Sequence, residues 1–194
     1  MKKISQRLRK IYVKEILMVS AMVVAVWIIQ PNFEIVVNRS ESLPIHAVII
    51  KKGKLPTKLD QIIVFKVRNN PHYKMKEMNF IKLVGGFEGD EIKAIEKETY
   101  LDGKSIGEAK DFKELPIHSE IEWKYREVSV GGKVIGVAKT HSLKGKPLEM
   151  VSPEIIPPHK FFAYTPHKDS FDSRYNDLGL IDAKDIIGTA IVAF

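Results

Sequence analysis

The 194-residue sequence predicts a mainly β fold preceded by one N-terminal transmembrane helix. Three observations predict it. Residues 16–33 hold no charged side chain and follow a basic tail. Beyond Pro31 the apolar residues gather in short, β-branched runs instead of recurring at helical spacing. Those runs are separated by Gly, Asn and Pro, the residues that turns require.

Residues 1–15 read as a basic cytoplasmic tail. Lys2, Lys3, Arg7, Arg9, Lys10 and Lys14 stand against Glu15, so five of the chain's seven net positive charges fall here. The rest of the chain carries only +2, which argues against a nucleic-acid-binding body. Residues 16–33 are the expected anchor in a lipid bilayer. Eighteen helical residues rise roughly 27 Å at ~1.5 Å each, close to a bilayer's hydrocarbon thickness. Ile16 to Ile29 is apolar except for Ser20, Trp27 suits one interface, and Lys14 can snorkel at the other. The basic flank predicts a cytoplasmic N-terminus, with the remainder on the periplasmic or extracytoplasmic side of the inner membrane. Two other readings compete. A cleavable signal peptide needs a small-x-small site just past the apolar core, and Ile28-Ile29-Gln30-Pro31-Asn32-Phe33 offers none. A buried helix of a soluble domain is the other.

After Pro31 the strands follow in order. Glu34-Ile35-Val36-Val37 leads into Asn38-Arg39-Ser40-Glu41-Ser42-Leu43-Pro44. Ala47 to Ile50 is a strand before a turn at Gly53, and Gln61 to Val67 is another, ended by Asn69-Asn70-Pro71. Phe80-Ile81-Lys82-Leu83-Val84 is expected to stop at Gly85-Gly86. Alternation puts Lys82 on one face with Phe80 and Val84; the solvent side of an edge strand is the competing reading. From Ile92 to Met150 hairpins are expected, with turns at Asp102-Gly103 and Gly131-Gly132. Phe161 to Tyr164 is a strand. The loop 165–175 after it is dense in hydroxyls and carboxylates, and Asp185 to Phe194 reads as a strand inside a sheet.

Several chemistries lack their residues. The chain has no cysteine, hence no thiolate chemistry. His46, His72, His118, His141, His159 and His167 show no ligand spacing, so no metal or other cofactor is expected. The segment 169–177 lacks the glycine and final glutamate of a calcium loop. Gly85 to Asp90 lacks the spacing and lysine of a phosphate cradle and reads as a turn. A Ser-His-Asp triad stays open on spacing, although no serine sits in a nucleophile elbow. A serine–lysine dyad fits better. A lysine amine can take a serine proton only if its pKa falls from ~10.4 towards neutrality, and burial among apolar side chains does that. Lys82 has such surroundings.

Four segments in order carry a resemblance: the basic tail and anchor, the Ser-x-Ser-x-Pro stretch at Ser40 to Pro44, Phe80-Ile81-Lys82 with Gly86 to Asp90, and Asp169-Ser170-Phe171-Asp172-Ser173-Arg174 before a glycine. Together the chain resembles the bacterial membrane-bound type I signal peptidases. The Asn-x-Ser-x-Ser-Leu-Pro form, with Pro44 two residues after Ser42, looks most like the conjugative-transfer (TraF-type) branch. His46 stands where that branch has glycine, and Glu88 where the family's turn has proline. The resemblance implies a β-rich catalytic core at 34–95 and 151–194, with an inserted β-hairpin region at 96–150. It implies Ser42 as nucleophile and Lys82 as general base. Ser40 and the Ser42 backbone N–H would form the oxyanion hole. Ser170 would orient Lys82, Asp172 and Arg174 would pair to support the loop, and the Gly86 to Asp90 turn would brace the lysine strand. The implied activity is serine endopeptidase cleavage of an exported precursor, a pilin-like subunit of a conjugation apparatus. Housekeeping removal of signal peptides is the alternative, and a non-enzymatic membrane-tethered scaffold is a second.

Overall fold

The computed structural model describes residues 2–68, 76–99, 123–140, 147–167 and 169–194. The expected strand end at Asn69-Asn70-Pro71, the turn at Asp102-Gly103, and His72, His118, His141 and Lys168 lie outside the described residues. Helix α1 covers Lys2–Ile29 and stops ahead of Pro31, which lacks an N–H and disfavours helix in the residue before it. Strand β1 (Phe33–Val37) begins inside the segment expected to span a bilayer. The charge-free helical part is therefore Ile16 to Ile29, a rise of about 21 Å. Among the described residues no helix is long and apolar enough to cross a membrane. On this helix Ile16, Leu17, Met18, Val19, Met22, Val23, Val24 and Trp27 are all exposed.

The strands form two sheets. In chain order they are β2 (Ala47–Lys52), β3 (Ile62–Arg68), β4 (Glu77–Gly86), β5 (Ile92–Thr99), β6 (Trp123–Val130), β7 (Lys133–Lys139), β8 (Lys160–Tyr164), β9 (Ile181–Asp182) and β10 (Ile186–Ala193). The larger sheet has the order β1-β2-β10-β3-β4-β8-β9, and the smaller is β5-β6-β7. All pairings are antiparallel. The β-branched run of β3 is explained by its position: Ile63, Val64 and Phe65 are fully buried, so both faces of the strand are covered. One face packs Ile63, Phe65, Val84, Phe161 and Ala163 together; the other packs Val64 and Ile81 against Leu43, Val48 and Ile50. Leu43 thereby fixes the serine stretch to the sheet.

β4 ends at Gly86, as expected, and includes both glycines. These glycines exist for close approach. A Cβ on Gly86 would collide with Val130 and stand 2.8 Å from Ile156, and one on Gly85 would stand 2.9 Å from Tyr164. Their bare backbone lets the smaller sheet dock, through Val128, Val130, Ile135 and Ala138, onto Phe162 and Tyr164. Gly131 and Gly132, at φ 55° and 80°, form the expected two-residue turn between β6 and β7.

Candidate active site

Ser42 lies in the loop joining β1 to β2, and Asn38 determines that loop's shape. The Asn38 amide nitrogen donates to the carbonyls of Leu43 at 3.2 Å and Ile45 at 2.9 Å. Its side-chain oxygen accepts from the Ser40 backbone N–H at 3.1 Å and from Ser40 Oγ at 3.0 Å. Ser40 Oγ stands 2.9 Å from Ser42 Oγ. Beyond Pro44, the N–H groups of His46 and Ala47 donate to the carbonyl of Phe194, so the end of the central strand β10 anchors the loop's exit.

Lys82 lies on β4, an interior strand, and is opposite Ile63 in the β3 register. Its residue is 5% exposed. Nζ donates to Ser170 Oγ at 2.6 Å and to Ser42 Oγ at 3.5 Å, and lies 5.9 Å from the Phe80 ring centroid. Burial lowers its pKa to about 8; the Asp172 carboxylate opposes that fall and the Arg174 guanidinium adds to it. At pH 7 roughly a tenth of the amine is then neutral, against well under a thousandth at the ordinary lysine value.

Ser170, Asp172 and Arg174 sit in the loop after β8. Ser170 and both members of the pair are buried. Arg174 grips Asp172 with two parallel bonds, Nε to Oδ1 at 2.8 Å and Nη2 to Oδ2 at 2.7 Å. Its remaining donors reach backbone carbonyls: Nη2 those of His167 and Thr165, and Nη1 that of Val137 on β7. Asp172 also accepts from the N–H groups of Thr165 and Arg174. The pair is thus fully hydrogen-bonded, as a buried ion pair must be. The carbonyl of His167 accepts from the Ser170 N–H, so the same turn that Arg174 braces presents Ser170 to the lysine.

The structure brings Ser40, Ser42, Lys82 and Ser170 into one hydrogen-bonded group, with Asp172 and Arg174 directly behind it. Near Gly86 to Asp90, the Asp90 carboxylate accepts from the Phe87 N–H at 2.8 Å, closing the turn after the lysine strand. Two contributors are not evident as such in the sequence. Asn38 is visible only as the first residue of an Asn-x-Ser-x-Ser pattern. The Val137 carbonyl leaves no side-chain signal at all. Among the described residues no three His, Asp or Glu side chains gather as a metal site would require. No curated protein sequence matches this chain. A sequence profile described as signal peptidase, peptidase S26, matches residues 8–194, nearly the whole length. On that match the chain belongs to the S26 signal peptidase family of serine peptidases.

Proposed function

We propose that this chain processes an exported precursor by acyl transfer through a Ser42–Lys82 dyad. The observation that carries the reading is the buried Lys82 amine held between Ser170 Oγ and Ser42 Oγ. Neutral Lys82 takes the Ser42 proton as Oγ attacks the scissile carbonyl carbon. Ser40 Oγ–H and the Ser42 backbone N–H stabilise the oxyanion that forms. The C–N bond then breaks, Lys82 returns the proton to the leaving amine, and an acyl ester remains on Ser42. Water, deprotonated by Lys82, attacks the acyl carbon; the ester C–O bond breaks, Lys82 returns the proton to Ser42 Oγ, and the carboxylate product leaves. Ser170 holds the amine in line, and the Asp172–Arg174 pair holds Ser170. Residues 34–95 and 151–194 act as the catalytic core, and 96–150 as an insert against it.

The exposed apolar side chains of α1, behind the basic tail, support attachment to the inner membrane with the N-terminus in the cytoplasm. Ser42 is 13 residues past the end of α1, so the site lies near the lipid surface where an exported chain emerges. The Asn-x-Ser-x-Ser-Leu-Pro form supports the conjugative-transfer branch and a pilin-like precursor. The family's description equally favours general signal-peptide removal. Complementation in cells depleted of their own leader peptidase separates the two: rescue assigns the general role, and failure with cleavage of a pilin precursor assigns the dedicated one. The dyad is tested by co-expression with a precursor. Ser42→Ala and Lys82→Ala are each expected to leave the precursor uncut while the protein still accumulates, and cleavage by either variant would refute the dyad.

A further inference from the structure

The hydrogen bonds around Asn38 have a fixed direction. Carbonyl oxygens only accept, so the two carbonyls of Leu43 and Ile45 identify the amide nitrogen of Asn38 without ambiguity. The opposite atom is then Oδ1, which can only accept. Ser40 Oγ–H donates to it. A hydroxyl carries one proton, so Ser40 Oγ must accept in its contact with Ser42 Oγ. Ser42 therefore points its own proton at Ser40, away from Lys82. The ammonium form of Lys82 completes the order by donating to Ser42 Oγ and Ser170 Oγ. The resting chain runs Lys82 to Ser42 to Ser40 to Asn38, each group donating to the next.

Attack on a substrate needs the reverse order. Ser42 must give its proton to Lys82, and Ser40 must turn its proton from Asn38 towards the oxygen that develops charge. Rotation about the Ser40 Cβ–Oγ bond accomplishes this only if the Ser40 oxygen stays in place, and the bond from the Ser40 N–H to the same Asn38 oxygen holds it there. We propose that Asn38 is a positioning residue whose side-chain oxygen receives the Ser40 hydroxyl proton between turnovers and keeps that hydroxyl poised for the oxyanion. The inference deepens the dyad reading and rests on it.

The experiment compares Asn38→Asp and Asn38→Leu at pH 9.5, above the lysine's titration, using a peptide spanning the cut site of the cleaved precursor. Aspartate keeps the acceptor for Ser40 but gives up both bonds to the Leu43 and Ile45 carbonyls. Leucine gives up everything. A positioning role predicts that Leu lowers kcat roughly 10- to 100-fold with KM little changed, while Asp stays within about threefold of wild type. A role confined to bracing the loop predicts Asp no better than Leu, because a carboxylate facing two carbonyls is repelled; that result would overturn the proposal. The same pair is measured in Ser40→Ala and Ser40→Thr backgrounds. The Leu effect is expected to vanish without the hydroxyl and to persist with threonine; a full effect in Ser40→Ala also overturns it. Ser42→Ala runs alongside. Its activity would sink the dyad and this inference together, whereas a dead Ser42→Ala with an additive Asn38 effect sinks this inference alone.

Discussion

Lys82 has an amine that water would keep charged, yet it sits where only 5% of the residue meets solvent. Desolvation acts on its ammonium form, so the pKa falls, and the direction of the pH effect on rate follows. As the proposed base, Lys82 must be neutral to act. The neutral fraction grows about tenfold per pH unit below the lysine's pKa of about 8 and levels off above it. Processing measured as kcat/KM is therefore expected to rise close to two orders of magnitude from pH 6 to pH 9 and then flatten. A profile already flat at pH 6 would mean that a different group takes the proton. Much of this was legible in the sequence. Phe80 and Val84 on either side of Lys82 indicated an apolar face, and alternation put the three together. That β4 is interior and not an edge strand was not legible, because pairing partners lie tens of residues away. The spacing of Asn38, Ser40 and Ser42 was readable as a pattern, but the direction of their hydrogen bonds needed the positions of the Leu43 and Ile45 carbonyls.

The loop after β8 and the strand β7 behave as one element although they are far apart in the chain. Arg174 reaches the Val137 carbonyl at 2.6 Å, the Tyr175 hydroxyl accepts from the Lys139 N–H, and Lys139 pairs with Asp169. The smaller sheet thus fixes the turn that presents Ser170 to the lysine. Removing the guanidinium would leave the Asp172 carboxylate buried without its countercharge. Arg174→Met is expected to lower the unfolding free energy by about 3–5 kcal/mol in chemical denaturation. Its residual folded fraction is also expected to cleave more slowly, since the Ser170 turn loses its brace. A change below 1 kcal/mol would show that the pair is dispensable. The pairing of Asp172 with Arg174 was implied by the family resemblance of the motif, not by the residues alone. Gly85-Gly86 was read as a strand end, which it is, and the structure adds a second reason for the glycines: side chains of other segments come too close for any Cβ.

At the scale of the molecule, the fold class was legible from punctuation and β-branched runs, while the strand order was not. Nothing local says that β10 lies between β2 and β3. That non-local order also limits the anchor reading, because β1 claims Phe33 for the sheet and shortens the helix ahead of it. The position of β10 has a consequence for the life of the enzyme. The serine loop hangs from β1 and β2, and the lysine from β4, and among the described residues the hydrogen-bond ladder joins those two halves only through β10. During synthesis β10 emerges after every other described strand. Ser42 and Lys82 are therefore expected to stay apart until residues 186–193 have been made. A chain arrested before Ile186 is expected to be inert towards precursor and sensitive to added protease, and supplying residues 186–194 as a separate peptide is expected to restore some cleavage. Full activity of the arrested chain would contradict this. The order of assembly is thereby expected to act as a timer, with cleavage becoming possible only once the last described strand has joined the sheet.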